Sequence, residues 1–511
     1  MLAKVKSYGL VGIEGYLIDV EIDINNGLPG FDTVGLPDTA VKESKERVKS
    51  AIKNSGLEYP INKIIVNLAP ASTRKEGSDY DLPIAVGILS ATNQIDFKLT
   101  KDYIFLGELS LNGDIRKING LLPMLISAHK QGYNKFIVPF ENYKESSFIE
   151  GIEVYACKNL KQVIEFLKGE VILEKVVSSN FEDIKQNSIQ VNDFCFIKGQ
   201  SQAKRALEIA AAGGHNVIMI GPPGSGKTML AKAFSSILPD MTFEESLEAT
   251  KIHSIAGKLD SNEGILVNRP FRAPHHTSTI TALTGGGRDA KPGEISLAHN
   301  GVLFLDEMPE YSRNTIETLR QPLEDGVITV SRLAQTIEYP ANFTMIASMN
   351  PCPCGYYGSS NHPCKCSEMQ IHKYLNKISG PLLDRIDLHV EVDSIPYDDL
   401  TSEVNEETRE EIKKRVNKAR QIQTERYKNY EKIHSNAQMT AALCKKYCKI
   451  SDEANTIIKH AFEIFNMSAR AYNRILKVAR TIADLEGSDN IELEHIIEAI
   501  NYRTLDKKYT F

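Results

Sequence analysis

The chain has 511 residues, which is too long for one ordinary domain and predicts roughly two to four of them. Its composition is 42% hydrophobic and 25% charged, which is typical of globular proteins and excludes wholesale disorder or a fibrous repeat. Lys and Arg number 60 against 66 Asp and Glu, so the formal net charge is -6. This balance excludes a uniformly basic nucleic-acid binder, and any DNA or RNA contact has to be local.

The N-terminal segment contains the charged residues Lys4, Lys6, Glu14 and Asp19, and the chain has no long run free of charged or strongly polar side chains. We therefore expect no signal peptide, no membrane span and a cytoplasmic location. Eight cysteines in a chain of this length do not indicate a disulfide framework, so we expect reduced thiols.

The first third of the chain alternates short predicted strands and helices. Strands are predicted for VEIDI, FDTVGL, KIIVNLAP, KFIVPF and IEVYAC, and helices for TAVKESKERVKSAI, DLPIAVGILSAT, GLLPMLISAHKQGY and NLKQVIEFLKG. Asp38 is the predicted cap of the first helix, which Gly56 ends. Between the predicted helices DLPIAVGILSAT and GLLPMLISAHKQGY, the segment YIFLGELSLNGDIRKI is a predicted hairpin, in which Asn112-Gly113 predicts a tight primed turn. Residues 1–177 are thus predicted to form an α+β domain.

Composition changes twice after that domain. Residues 178–192 are polar and weakly periodic, which is typical of a linker. Residues 193–393 contain the predicted strands HNVIMI, GVLFLDE and FTMIASMN, which indicate an α/β domain with a parallel sheet. Residues 394–511 are predicted to be all-helical, with helices near 404–429, 437–449, 451–466, 468–487 and 491–500.

A phosphate-binding loop is the most specific motif. Residues 221–228 read GPPGSGKT, between a predicted strand and a predicted helix. Glycines let backbone N–H groups approach phosphate, Lys227 reaches the β and γ phosphates, and the Thr228 hydroxyl ligates Mg²⁺. A plain glycine-rich turn does not account for strand, loop, Lys-Thr and helix in this order. The predicted ATP-binding residues are Gly221, Pro222, Pro223, Gly224, Ser225, Gly226, Lys227 and Thr228.

Two later strand ends supply the rest of an ATPase site. Asp306 and Glu307 follow GVLFL, where the first can hold Mg²⁺ and the second can polarise the attacking water. Asn350 ends FTMIASMN and can orient that water. An ordinary strand-terminating Asn is the alternative for Asn350, since Asn favours turns.

Several characteristic sequence motifs are distributed along the whole chain: GLPGFDTVGLPD, RPFRAPHHTST, GEISLAHNGVLFLDE, MNPCPCG and SARAYNRILKVARTIADL. Through them the chain resembles the YifB/ComM family of magnesium-chelatase-like AAA+ proteins. Residues 193–393 resemble an AAA+ core of the helix-2-insert group. The resemblance implies a P-loop α/β core, a helical C-terminal lid, ATP and Mg²⁺ as cofactors, and a homo-hexamer.

The resemblance also assigns roles to single residues. Arg385 in GPLLDRIDL matches the arginine finger, which acts on the neighbouring subunit's nucleotide. Arg470 matches the sensor arginine of the lid, with Arg474 as a second candidate. Surface ion pairing is the alternative for both arginines. The run DFCFIKGQ is similar to the adenine-side segment, so Ile197 and Gly199 are implied to line the base pocket.

Two insertions in the core are candidates for a DNA contact in the pore of a ring. TALTGGGRDAKPGEIS is a predicted mobile loop that carries Arg288 and Lys291, and GVITVSRLAQTIEYPA is a predicted hairpin with Arg332 near its tip. In the helix-2-insert group such hairpins touch DNA, and repeated cations would neutralise phosphates. Exposed loops without a ligand are the alternative.

For function, the resemblance implies a DNA motor similar to ComM helicases, which drive branch migration during recombination or transformation. Its partners would be branched or single-stranded DNA and recombination proteins. Two other functions stay open. One is a chelatase-type or chaperone-like ATPase that remodels a protein partner, and the other is a nucleotide-dependent switch. The intact Glu307 and Asn350 argue against the switch.

Four cysteines crowd one loop: Cys352, Cys354, Cys364 and Cys366. Four thiolates in one loop suit tetrahedral Zn²⁺, although the C-x-C spacing is tighter than the usual C-x-x-C. A structural zinc is the preferred interpretation, with His362 close by in sequence, and free thiols or a redox pair are the alternatives. Cys444 and Cys448 lie one helical turn apart and are predicted to pack in a core.

The N-terminal domain resembles the Lon-protease-like fold, so the positions of a serine-lysine dyad matter. The run KEGSDYD puts Asp79 where the family has its serine, with Ser78 one position off and Gly77 before it. The run NGLLPM puts Met124 where the family has its lysine. Because a serine without a base is a poor nucleophile, we predict a domain that is not an active protease.

Overall fold

The computed structural model describes residues 2–186, 193–287, 290–331, 336–359, 362–394, 406–430, 433–465 and 468–503. Within these ranges no helix combines the length and the apolar character that crossing a bilayer requires.

A seven-stranded sheet organises the N-terminal region, in the order β3-β4-β2-β1-β5-β8-β9. β1 pairs antiparallel with β2, which pairs antiparallel with β4, and the remaining neighbours are parallel. β6 and β7 form a separate small hairpin. The strands are β1 Leu2–Val11, β2 Glu14–Asn25, β3 Gly30–Val34, β4 Lys63–Ala69, β5 Ile104–Phe105, β6 Glu108–Leu109, β7 Ile115–Arg116, β8 Lys135–Pro139 and β9 Glu153–Cys157.

Helices cover the faces of this sheet, and the predicted α+β composition of the region is confirmed. Asp38 caps α1 by accepting from Val41 N, as predicted. Every residue of α2 is buried, and the helix packs against β1, β2 and α1, with Asp81 paired to Arg47 on α1. The helices are α1 Thr39–Asn54, α2 Asp81–Ala91, α3 Leu121–Lys130, α4 Tyr143–Ser146 and α5 Leu160–Leu167.

The predicted primed turn at Asn112-Gly113 is wrong. β6 and β7 are joined by the five residues between Leu109 and Ile115, not by two. Gly113 has φ 91°, but Asn112 does not have the positive φ that such a turn requires. Ser110 explains the longer loop, because its carbonyl accepts from Gly113 N at 3.0 Å and its hydroxyl accepts from Asp114 N at 3.0 Å.

A five-stranded parallel sheet forms the centre of the second region, in the order β11-β14-β17-β10-β18. The three predicted strands are confirmed as β10, β14 and β17. Sequence reasoning missed the two edge strands β11 and β18. Two further antiparallel pairs are β12 with β13 and β15 with β16. The strands are β10 Val217–Ile220, β11 Phe271–Arg272, β12 Gly285–Gly286, β13 Lys291–Pro292, β14 Val302–Leu305, β15 Val327–Ser331, β16 Thr336–Pro340, β17 Thr344–Met349 and β18 Leu388–Glu391.

The connection between the two sheets contains a short helix, α6 Phe181–Gln186, inside the predicted linker 178–192. Phe181 is buried with Phe148 and Ile265, and its ring lies edge-on to Phe243 at 5.7 Å. Residues 187–192 lie outside the described ranges. The described part of the connection is therefore anchored in a small apolar cluster.

Helices flank the parallel sheet: α7 Ser201–Gly213, α8 Lys227–Ile237, α9 Phe243–Ile255, α10 Ile280–Thr284, α11 Glu294–Leu297, α12 Arg313–Glu317, α13 Arg320–Asp325, α14 Glu368–Leu375 and α15 Gly380–Leu383. The segment predicted as a mobile loop after α9 instead forms α10 and the β12–β13 pair in its described part.

The C-terminal region is helical as predicted. One large hydrophobic core joins its helices to α7, α8 and the parallel sheet. The helix predicted for 437–449 begins only at Ala441, because the Thr440 side chain caps it by accepting from Leu443 N. Cys444 and Cys448 are buried in the shared core, which confirms that prediction. The helices are α16 Arg409–Tyr427, α17 Ala441–Tyr447, α18 Asp452–Phe465, α19 Ala469–Glu486 and α20 Leu493–Asn501.

The first sheet packs directly on the ATPase-like region. In the β1–β2 turn, a Cβ added to Gly12 would lie 2.6 Å from Ile337 Cγ2 on β16, so the Ile337 side chain packs directly on the Gly12 backbone. Deeper in the interface, Ser254 Oγ donates to the buried Glu145 carboxylate at 2.8 Å. Burial raises the pKa of Glu145. The hairpin β15–β16 is therefore in contact with the N-terminal domain.

Candidate nucleotide site

Four of the predicted site residues, Lys227, Asp306, Glu307 and Asn350, meet at the carboxyl ends of three neighbouring strands. The phosphate loop follows β10, Asp306 and Glu307 follow β14, and Asn350 follows β17, which lies between them. Ligands of open parallel sheets bind at this edge. Gly226 ends the loop with φ 89° and leads into α8, whose N-terminus favours an anion.

Lys227 holds the loop together from inside. Its Nζ donates to the carbonyls of Gly221 and Pro222, both at 2.8 Å, and lies 3.4 Å from Asn350 Oδ1. Burial lowers the pKa of Lys227, while Asp306 and Glu307 act to raise it. The ammonium is thus placed between the loop and the carboxylates, where a phosphate chain would exchange for these carbonyls.

The two predicted Mg²⁺ ligands are in direct contact. Thr228 Oγ1 donates to Asp306 Oδ2 at 3.0 Å. The second oxygen of Asp306 accepts from Ser348 on β17. Hydroxyl and carboxylate oxygens are the donors that Mg²⁺ prefers, and the ion usually keeps several waters. The Thr228–Asp306 pair therefore fits the metal.

Glu307 has a left-handed backbone conformation, with φ 51°. A non-glycine residue in this region is uncommon and typical of functional sites. The Glu307 N–H donates to Ser348 Oγ at 3.0 Å, and its side chain is exposed. The carboxylate can therefore polarise a water, as the sequence predicts.

The predicted adenine-side residues precede Gln200, whose Nε2 donates to the Ser225 carbonyl of the phosphate loop at 3.5 Å. Ile197 is buried, and the Gly199 N–H donates to Glu406 Oε1 at 2.9 Å. Lys204 contacts the other oxygen of Glu406 at 2.8 Å. The segment is thereby tied to the start of the helical region, next to the phosphate loop.

Arg385 lies at the amino ends of the strands, opposite to the carboxyl ends where the phosphate loop lies. It precedes β18, whose amino end pairs with that of β10 in parallel, and the carbonyl of Arg385 accepts from Asn216 Nδ2 at 3.2 Å. Four residues of strand separate this edge from the phosphate loop, which amounts to about 13 Å. The guanidinium pairs with Glu324 and donates to Pro381 O at 2.6 Å.

Arg385 and Arg470 line one open cavity of about 710 Å³. Among the described residues, none of those lining it belongs to the phosphate loop. Asp387 pairs with His215 at 3.1 Å and with Arg474 at 3.7 Å, and these partners hold its pKa well below the usual range despite burial. The cavity lining carries both signs of charge: the basic residues Arg269, Arg385, Arg420, Arg470, Arg474 and Lys477, and the acidic residues Glu245, Glu324, Asp325, Asp384 and Asp387.

The four clustered cysteines converge as a metal site requires. Their Sγ atoms all lie within 4.8 Å of one another, and Cys352 Sγ is 3.3 Å from Cys354 Sγ and 3.6 Å from Cys364 Sγ. Zinc–sulfur bonds of about 2.3 Å put tetrahedral sulfurs about 3.8 Å apart. A disulfide would need about 2.05 Å. The set could therefore bind a metal such as zinc, and all eight cysteines of the chain are free thiols.

His362 does not join this cluster. Its ring lies against Tyr356, with centroids 5.0 Å apart, and the metal-competent group consists of the four cysteines.

Family models of magnesium chelatase match most of the chain. "Magnesium chelatase, subunit ChlI" matches residues 193–400, "Subunit ChlI of Mg-chelatase" residues 20–142, and "Magnesium chelatase, subunit ChlI C-terminal" residues 406–503. The competence protein ComM of Haemophilus influenzae is 42% identical over 513 residues, 99% of this chain and 98% of ComM. The YifB protein of Escherichia coli is 43% identical over 507 residues, with the same shares.

The chain belongs to the YifB/ComM family of magnesium-chelatase-like AAA+ proteins. This confirms the resemblance drawn from the sequence. The α/β sheet and the helical C-terminal region are those of an AAA+-type ATPase, and such an ATPase uses a nucleotide and Mg²⁺.

Similarity of this YifB/ComM-family protein to Lon is weak and partial. Lon protease 2 of Bacillus subtilis is 26% identical over 168 residues, 30% of each chain. Ser78 donates to the carboxylate of Glu108, and Lys75 Nζ donates to backbone carbonyls, including Thr73 O at 2.9 Å. Met124 is buried in an apolar cluster. The absence of protease activity stays a prediction.

The predicted DNA-binding cations of the YifB/ComM-family protein are only partly described. Arg288 and Arg332 lie outside the described residues, while the hairpin that leads to Arg332 is present as β15 and β16. Lys291 is exposed on β13; burial raises the pKa of Asp79 in the N-terminal domain, and the charge of Lys291 opposes this rise. Both insertions thus approach that domain.

Sequence reasoning missed Ser348 as a residue of the nucleotide site. It is fully buried on β17 and contacts both residues of the Asp-Glu pair. A polar residue two positions before Asn350, in a strand that is otherwise apolar after Thr344, is the signal that could have found it.

Proposed function

We propose that this protein is an ATP-hydrolysing motor that works as a homo-hexamer on branched or single-stranded DNA and drives branch migration during recombination. Lys227, Thr228, Asp306, Glu307 and Asn350 act within one subunit, with ATP and Mg²⁺. Arg385 acts on the nucleotide of the neighbouring subunit. Recombination proteins would deliver the DNA.

The position of Arg385 carries this proposal. An arginine finger has to reach the γ phosphate, yet Arg385 stands at the sheet edge opposite its own phosphate loop. A neighbouring subunit in a ring brings the two edges together, which is the heterologous, closed contact of cyclic symmetry. Arg470 lines the same cavity and would act across the same interface, rather than on its own phosphate loop.

DNA as the substrate is supported by the named relative and by the two insertions. The Haemophilus influenzae relative is named a competence protein and matches almost the whole chain. Arg288, Lys291 and Arg332 would line the pore, where a ring repeats each cation and counterion release favours binding. Because the chain as a whole has a net charge of -6, a monomer should bind DNA poorly.

We further propose that the metal at the cysteine cluster is zinc and that it is structural. Four thiolates and no open position are typical of structural zinc sites. Cys352 is fully buried, while the other three cysteines are partly buried, so the site closes a loop on the surface of the ATPase core.

Branch migration of a four-way DNA substrate, together with strand displacement on a fork, tests the motor. Wild type should convert both substrates only with hydrolysable ATP. Lys227→Ala should lose nucleotide binding, and Glu307→Gln should bind ATP without turnover, so both should lose DNA conversion. Lys232→Ala is the matched control, because Lys232 lies on the same helix and is exposed.

The same assay separates the rival functions. Failure of wild type on every branched substrate would remove the DNA motor. ATP turnover stimulated by a protein and not by DNA would indicate a remodelling ATPase instead. Absence of hydrolysis with every DNA form would indicate a nucleotide-dependent switch.

A further inference from the structure

The cysteine cluster begins at the nucleotide site. Asn350, whose side-chain oxygen lies 3.4 Å from Lys227 Nζ, is two residues before Cys352. Cys352 is fully buried and belongs to the same apolar cluster as β14 and β17. Cys352 is therefore only two residues away from a side chain that contacts Lys227.

The loop that carries the four cysteines also contacts the phosphate loop directly, through Gly355. Gly355 has φ 84°, and a Cβ added there would lie 2.5 Å from Pro223 Cδ and 2.8 Å from Pro223 Cγ. Only a glycine allows this approach. The turn that places it is closed by the Gly355 N–H, which donates to the Cys352 carbonyl at 2.9 Å.

The end of the loop returns to the same point. Cys366 is followed by α14, which Ser367 caps by accepting from Gln370 N. On that helix, burial raises the pKa of Tyr374 and the nearby backbone of Asn350 acts in the opposite direction, so the Tyr374 ring lies beside Asn350. Both ends of the cysteine loop thus lie close to Asn350, and Gly355 in its middle packs against Pro223 of the phosphate loop.

We infer that the metal held by the four cysteines controls how tightly the phosphate loop binds nucleotide. The inference rests on the proposed ATP binding and adds a regulatory role to a site otherwise needed only for folding. A bound ion links four sulfurs across the loop and removes most of its conformational freedom. Without the ion, Gly355 and Asn350 lose their fixed positions, and Pro223 loses its packing partner.

Nucleotide binding by the full-length protein, measured without DNA, tests the inference. Metal content is first determined by mass spectrometry. The metal is then removed with a chelator under reducing conditions, and a fluorescent ATP analogue is titrated in excess Mg²⁺. We expect the metal-free protein to bind the analogue about tenfold more weakly, and about one equivalent of Zn²⁺ to restore the affinity.

Two variants separate loss of metal from loss of the contact. Cys364→Ser should lose both the metal and the tight binding of nucleotide. Gly355→Ala should keep the metal but lose the tight binding of nucleotide, because the added Cβ collides with Pro223. Cys157→Ala is the matched control, since Cys157 is buried in the N-terminal domain and should change neither quantity.

Equal nucleotide affinity with and without metal overturns the inference alone. A protein that takes up no zinc overturns it as well. Wild type that binds zinc but no nucleotide overturns the inference and the proposed function together. Failure of branch migration with a metal-dependent nucleotide affinity overturns only the proposed DNA motor.

Discussion

Ser348 donates a hydrogen bond to Asp306, and the same hydroxyl accepts from the backbone N–H of Glu307 at 3.0 Å. One buried side chain on β17 therefore fixes both acidic residues at the end of β14. Because β14 and β17 are adjacent parallel strands, the contact also sets Asp306 against the strand that carries Asn350.

Ser348→Ala should slow ATP hydrolysis. The change leaves one oxygen of Asp306 and the Glu307 N–H without this partner, which costs about 1–3 kcal/mol. Because this loss falls on the transition state, kcat/KM should drop by about fivefold to 150-fold. Steady-state phosphate release measures it. Ser235→Ala is the control, since that hydroxyl donates only within its own helix, to Lys232 O at 2.8 Å. Rates within about twofold of wild type would contradict the role.

Arg385→Ala should abolish turnover in assembled rings, and subunit mixing should show where the arginine acts. An arginine finger contributes about 10³-fold or more to kcat. Lys227→Ala rings should also be inactive. In rings assembled from equal amounts of the two variants, an Arg385→Ala subunit, whose Lys227 is intact, receives the intact Arg385 of a Lys227→Ala neighbour at about a quarter of the interfaces. Activity should therefore return. Mixtures as inactive as each variant alone would place the finger within its own subunit. Arg74→Ala, on the exposed surface of the N-terminal domain, is the control.

The sequence predicts those parts of the site whose chemistry is local. The phosphate loop is recognised because strand, glycines, Lys227 and helix follow one another without interruption. Asp306 and Asn350 are recognised because each ends an apolar strand. The proximity of Arg385 and Arg470 could not be predicted in this way, because it arises from packing between distant segments. Likewise β11 has two residues and β18 four, too few for a period to stand out.

Phe181→Ala should loosen the junction between the N-terminal domain and the ATPase core. Phe181 is 7% exposed, and its ring contacts Phe243 from the core. Removing a buried Phe costs about 3–5 kcal/mol in a well-packed site. We expect a protease to cleave the variant faster than wild type near residues 178–192. Mass spectrometry of the fragments identifies the cleavage sites. Phe97→Ala, where the ring is 48% exposed, should leave the cleavage rate unchanged. Equal rates for both variants would contradict an anchoring role for Phe181.

The carboxyl group of Asp79 should make the unfolding of the N-terminal domain depend on pH. Burial raises the pKa of Asp79 to about 7, with further contributions from Asp81 and Glu108, while Lys291 lowers it. The folded state therefore binds more protons than the unfolded state between about pH 4 and pH 7. The stabilisation is complete below the unfolded pKa and is lost as the pH rises through the folded pKa.

Asp79→Asn should remove most of this dependence. The variant should be more stable than wild type at pH 8, and each kcal/mol gained should raise the melting temperature by about 2–4 °C. Some decline should remain up to about pH 6, because burial raises the pKa of Asp81 to about 6 against the opposing effect of Arg47. Calorimetry of the full chain between pH 5 and 8 measures the profiles, with the exposed Asp102→Asn as control. Parallel profiles for wild type and Asp79→Asn would mean that Asp79 ionises alike in the folded and unfolded chain.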